Sequence, residues 1–207
     1  MVQESEILEI RPPKALQSFF DGKVPRLWCS GEQSILDGRL LGIISARESD
    51  ADLAVKSSQL LARAASIKDI CFIGGWHSPL EEEALRILLA NSVPIVLCIS
   101  KSLNRFVPPK EIDARIGRGE ALLLTHCSPK AKRISREASL RRNQLVMALA
   151  AALLILSAPE GSSSLELAKS ALHYGKPVLT PEHGLNNRLL AAGALPATLE
   201  NIQRALE

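Results

Sequence analysis

Apolar residues in this chain gather in short unbroken runs separated by polar, periodic stretches. Leu40 to Ser45, Ile70 to Ile73, Val93 to Ser100, Ala121 to Thr125, Ala152 to Ser157 and Val178 to Thr180 are continuous rather than alternating. That is the pattern of strands buried on both faces of a sheet. Between the first two runs, Asp52 to Ala65 sets Leu53, Leu60, Leu61 and Ala64 near a 3.6-residue period and predicts a helix. Pro79 and the glutamates after it start a second helix reaching Asn91, and Glu111 to Arg115 forms a short third. A fourth runs from about Ser139 to Ala151. In the fifth, Ser163 and Glu166 stand at capping-box spacing, with Gly175 as the stop signal and Pro177 beyond it. Asn187 to Ala192 and Leu199 to Leu206 supply closing helices, and Val24 to Ser30 an edge strand ended by Gly31. Residues 1–24, interrupted by Pro12 and Pro13, are expected as an N-terminal lead-in to a single domain over 25–207. Regular alternation of strand and helix implies an α/β fold, a doubly wound and mostly parallel sheet with helices on both faces.

Composition agrees with that picture. Hydrophobic residues are 46% of the 207, and aromatics only 3%, so the core is aliphatic. Cys29, Cys71, Cys98 and Cys127 form no C-x-x-C pair and read as small core residues in a reducing compartment. His126 beside Cys127 finds no second pair at zinc spacing, so neither a metal nor a cofactor is expected. The N-terminus lacks a charged start followed by an apolar stretch, and Leu145 to Ala158 is too short to span a bilayer. The chain is expected to be cytoplasmic, with no membrane contact.

Net charge is only +3, but its distribution is uneven: Lys130, Lys132, Arg133, Arg136, Arg141 and Arg142 face Glu137 alone. In a doubly wound sheet, ligands collect at the carboxyl ends of the strands. Three loops there have phosphate-binding composition: Ser45-Ala46-Arg47, Gly74-Gly75-Trp76, and Glu160 through Gly161, Ser162, Ser163 and Ser164. Glycine permits close backbone approach, hydroxyls and free N–H groups bond phosphate oxygens, and Arg47 adds a bidentate donor. No G-x-G-x-x-G and no G-x-x-x-x-G-K-[ST] occurs, which argues against dinucleotide enzymes and P-loop NTPases. His77, Glu160 and Glu166 are the acid–base candidates near these loops, and none is assigned a catalytic role.

The same residues resemble the DNA-processing protein A (DprA/Smf) family, a Rossmann-like group in the superfamily of the LOG phosphoribohydrolases. The resemblance covers about residues 25–195. It rests on R-R-N at Arg141, Arg142 and Asn143, an apolar helix and strand, the Gly161 to Ser164 turn, G-K-P-V at Gly175 to Val178, and Gly193-Ala194. Leu41 to Arg47 is similar to the family's strand ending in G-S-R, and Val107-Pro108-Pro109 with Glu111 to its Y-P-P-E-N loop. The chain departs from the family at GGWHSPLE, where members carry S-G-x-A-x-G-I-D, and at S-A-R with Glu48, Asp50 and Asp52 close by. The resemblance implies a homodimeric, non-enzymatic binder of single-stranded DNA that assists a RecA-type recombinase in DNA uptake. On it, Arg47 takes the DNA-contacting arginine position, Lys101 and Arg105 lie in the loop lining a positive pocket, and Arg141 to Asn143 shape the same crevice. The alternative is a LOG-type nucleotide binder or hydrolase. Against hydrolysis, Leu167 fills the catalytic glutamate position with Glu166 one place early, and Asn143 stands where those enzymes have lysine.

Overall fold

The structure, a computed structural model, describes residues 7–16, 19–20, 24–131 and 135–207. Among the described residues nine strands form one sheet: β1 (Leu8–Ile10), β2 (Leu27–Gly31), β3 (Arg39–Ile44), β4 (Ile70–Gly74), β5 (Ile95–Ile99), β6 (Ala121–Thr125), β7 (Ala152–Ile155), β8 (Val178–Thr180) and β9 (Leu195–Pro196). Their order is β1-β2-β6-β5-β4-β3-β7-β8-β9, parallel from β6 to β9. Only β1 with β2 and β2 with β6 are antiparallel. The winding direction reverses at β3, because β4 to β6 lie on one side of it and β7 to β9 on the other.

Seven α-helices among the described residues cover the sheet: α1 (Ala51–Ala64), α2 (Pro79–Ala90), α3 (Lys110–Gly117), α4 (Arg136–Leu149), α5 (Ser163–His173), α6 (Asn187–Ala191) and α7 (Leu199–Ala205). The strands are buried on both faces, as the continuous apolar runs require. Leu41, Ile43 and Phe72 pack under α1, α2, α3 and α7, while Leu40, Ile44 and Ile73 pack under α4, α5 and α6. Each fully buried Leu or Ile contributes roughly 2 kcal/mol of burial free energy, so the two apolar layers set the stability. Gly42 of β3 lets α4 come close: a Cβ there would lie 2.5 Å from Leu153 Cδ2 and 2.9 Å from Ala150 Cβ. The far end of α4 is tied down as well. Lys176 Nζ donates to the Ala150 carbonyl, the C-cap of α4, and lies over the Phe19 ring.

Four expectations are corrected. The predicted edge strand is β2, and it is interior, because Leu8–Ile10 of the lead-in pairs on its outer side. Helix α4 begins at Arg136 rather than Ser139, since Ser135 caps it by accepting from the Ala138 N–H. The cap of α5 is Ser162, not Ser163, and Glu166 pairs with Lys169 instead of closing a capping box. The two registers overlap in S-S-S-L-E, and burial decides between them. With Ser162 as cap, Ser164, Leu165 and Ala168 turn into the core. Strand β9 is the fourth correction, a two-residue strand too short to be seen in an apolar pattern.

Candidate functional site

At the carboxyl ends of β3, β4 and β5, beside the reversal, lies an open cleft of about 500 Å³. One wall is the loop after β3, with Ser45, Ala46 and Arg47; another is the loop after β4, with His77, Ser78 and Glu81. Ser100 ends β5. Helix α4 runs along the opposite side with Arg136, Ser139, Leu140, Arg142 and Asn143, and Ser163 opens α5. Three arginines therefore share the lining with one carboxylate, and that carboxylate is buried.

Glu81 organises the two loops. It is 4% exposed, with Oε1 accepting from the Ser45 N–H at 2.8 Å and Oε2 from the N–H groups of His77 (2.8 Å) and Ser78 (3.2 Å). Ser78 returns the bond by accepting from the Glu81 N–H, which makes the pair a capping box for α2. Burial raises the Glu81 carboxyl above the usual carboxylate range, while the backbone donors and Arg142 pull the other way.

Arg142 is 7% exposed. Its Nε and Nη2 donate to Asn143 Oδ1 at 3.0 and 2.9 Å, and no carboxylate among the described residues lies within ion-pair distance. Burial lowers its pKa, opposed by the more distant Glu81 and Cys98. A guanidinium at the wall of a cleft with no carboxylate at ion-pair distance carries a desolvated charge that the more distant Glu81 offsets only in part. Gly75 provides its slot, since a Cβ there would lie 2.6 Å from Arg142 Nε and 2.7 Å from Cζ. Gly74 does the same for the buried Trp76 ring, whose Nε1 donates to the Val96 carbonyl. Both glycines thus shape the wall from behind rather than line the cleft.

The positive field reaches beyond the lining residues. The His77 pKa is lowered by desolvation and then by Arg142, Lys101 and Arg47. That of His126, at the end of β6, is pushed down to about 4 by burial and then by Arg141 and Arg142. Lys101 and Arg141 are therefore close electrostatic neighbours of the cleft without lining it, and Lys101 Nζ sits 5.0 Å over the Phe106 ring. Arg105 ends a 3-10 turn at Leu103–Arg105, also off the lining.

The loop after β7 divides its residues between two places. Ser163 faces the cleft, Ser162 caps α5, and Ser164 Oγ donates to the Ser157 carbonyl at 2.8 Å. Gly161, at φ +76°, belongs with Glu160, Glu166, Lys169 and Arg188 to a separate hollow, where the charges form the pairs Glu160–Arg188 and Glu166–Lys169. Of the three acid–base candidates, only His77 stands at the cleft. Lys132 and Arg133 of the basic segment lie outside the described residues. Asp50 caps α1 through the Leu53 N–H, and Asp52 pairs with Lys56. Among the described residues no group of three potential metal ligands forms, and no helix is long and apolar enough to cross a membrane.

Glu81, Arg136 and Ser139 line the cleft but are missing from the sequence-derived site. Ser78 to Glu81 carried the capping-box spacing, and Arg136 stood in the basic run. Asn186, fully buried, ties the chain after β7 to the chain after β8 by accepting from the Ala158 N–H and donating to the Leu156 and Pro181 carbonyls. Nothing in an isolated Asn-Asn pair signals that.

The DNA recombination-mediator protein A family matches the chain over residues 8–202. Among solved structures, DNA processing protein A from Streptococcus pneumoniae superposes with a TM-score of 0.82 at 19% identity, covering 100% of this chain and 76% of that one. DNA processing protein A from Helicobacter pylori, solved for its single-stranded DNA binding mode, gives 0.79 at 22% identity, covering 100% and 98%. The molybdenum cofactor binding protein of Rippkaea orientalis gives 0.56 at 14%, covering 81% and 94%. These likenesses establish the shared Rossmann-like fold. Among curated proteins, none matches the chain.

Proposed function

Because the chain belongs to the DNA recombination-mediator protein A family, we propose that this DNA-processing protein binds single-stranded DNA at the cleft, without turning it over. The observation that carries this reading is Arg142, a buried cation with no carboxylate at ion-pair distance among the described residues, at the wall of a cleft that also holds Arg47 and Arg136. Phosphate oxygens supply the missing negative charge. Ser45, Ser139 and Ser163 add hydroxyls, and Lys101, Arg105 and Arg141 extend the positive surface along the strand's path. Gly74 and Gly75 keep the wall open, while Gly161, Ser162 and Ser164 hold the α5 turn that presents Ser163.

With aromatics at 3% of the chain, stacking platforms for bases are scarce. Affinity then comes mainly from phosphate neutralisation and is strongly salt-dependent and sequence-tolerant. A labelled oligonucleotide titrated over a salt series tests this directly. Arg47→Ala and Arg136→Ala should each weaken binding about three- to tenfold for every sequence and flatten the salt slope by about one phosphate's worth. No binding at low salt overturns the reading.

Family membership supports two further parts of it. The chain assists a RecA-type recombinase on the strand it holds during DNA uptake, which is measured as faster recombinase loading onto oligonucleotide in its presence. It does so as a homodimer, measured as solution mass against concentration. Nucleotide hydrolysis is not favoured: the carboxylate nearest the LOG-type position, Glu166, lies in the other hollow and is paired with Lys169. Incubation with nucleoside monophosphates should release no free base.

A further inference from the structure

We propose that Glu81 is a positioning residue for DNA binding, holding the Arg47 turn and the His77 loop in the one arrangement that makes the cleft. The inference rests on the DNA-binding reading and adds to it a residue that touches no DNA.

A capping box explains only part of what Glu81 does. The box needs its contact with the Ser78 N–H and the reciprocal bond from its own N–H to Ser78 Oγ. Two more bonds fall outside that motif. One reaches the Ser45 N–H, 36 residues away and just beyond the end of β3; the other reaches the His77 N–H. Together they tie the loop carrying Arg47 to the loop carrying His77, across adjacent parallel strands. Burying a carboxylate this deeply is costly unless its oxygens are satisfied. A neutral cap would serve the helix alone, so the linkage between loops is the additional role. Both carboxylate oxygens are occupied by backbone donors, which keeps Glu81 from confronting a phosphate in the cleft or pairing directly with Arg142. Its charge still lies near enough to Arg142 to favour the cationic form.

The test uses the full chain with Glu81→Gln. A carboxamide offers one oxygen, and its NH₂ must then face either the Ser45 N–H or the His77 and Ser78 pair, donor against donor. Oligonucleotide affinity should fall about tenfold, and Arg47→Ala should add less than about twofold on top of Glu81→Gln although it matters in the wild type, because coupled sites are non-additive. Amide hydrogen exchange should show Ser45 and His77 protected in the wild type and unprotected in Glu81→Gln, with the interior of α2 unchanged. Additive losses, or unchanged protection at Ser45, overturn the role. Should Glu81→Gln not fold, the wild type decides alone: rapid exchange at the Ser45 amide overturns the linkage, and protection on a par with β3 supports it. A wild-type chain that binds no oligonucleotide overturns the DNA-binding reading itself, and this role with it. Additivity in a chain that does bind overturns the role only.

Discussion

Arg115 and Arg142 are both buried arginines, and they do opposite things. Arg115, in α3, is 2% exposed and donates to the Leu89 and Val93 carbonyls, with its Nε 3.2 Å from Glu120. Its charge is spent inside the protein, pinning α3 to the turn between α2 and β5. Arg142, in α4, donates among the described residues to the neutral oxygen of Asn143 and lies in the slot at Gly75, with Glu81 more distant. Depth alone does not set the two apart; the identity of the groups around each charge does.

That contrast can be broken by removing each charge in turn. Arg115→Met leaves the Leu89 and Val93 carbonyls without their donor, while Glu120 keeps its pair with Arg118, and should lower unfolding stability by about 2–3 kcal/mol with oligonucleotide affinity of the folded chain unchanged. Arg142→Met removes a charge with no ion pair among the described residues. It should shift stability by less than about 1 kcal/mol in either direction while costing ten- to a hundredfold in affinity. Denaturant titrations beside binding curves check both, and equal stability losses would dissolve the distinction.

The glycines next to each arginine sharpen it. Gly75→Ala drives a Cβ into the Arg142 guanidinium, so affinity should drop about three- to tenfold as the side chain leaves its slot. Gly117, at the end of α3, has open space where a Cβ would go. Gly117→Ala should leave binding untouched and stabilise the helix by up to about 0.5–1 kcal/mol.

A further contrast is electrostatic. His126 is held to about 4 by burial and then by Arg141 and Arg142, whereas the unfolded chain takes up that proton near the ordinary histidine value. Stability is therefore complete above pH 6.5 and falls as the pH drops from there toward 4. NMR titration should show the His126 pKa rising in Arg142→Met and unmoved in Arg115→Met.

Much of this architecture could be read from the sequence, because six strands buried on both faces leave six continuous apolar runs. What escaped was short or remote. β1 and β9 have three and two residues, and β2 looked like an edge because its partner β1 was hidden in a polar segment. The site was legible as far as residue type and strand ends allow: Ser45, Arg47, Arg142, Asn143 and Ser163 meet in one cleft. Local spacing also misled. Ser163 and Glu166 matched a capping box that tertiary burial overruled, while Ser78 and Glu81 formed one whose glutamate reaches much farther. Bonds such as that from the Ser45 N–H to Glu81 depend on strand order, which no local pattern encodes.

The narrowness of β9 has its own consequence for how copies of this chain can associate. Pro196 has no N–H to offer, and its carbonyl already accepts from the Thr198 N–H and Asn201 Nδ2. At this rim the ladder is closed to any incoming strand. Growth of the sheet from molecule to molecule, the first step toward a fibre, has no template there, and whatever meets that side must dock on side chains.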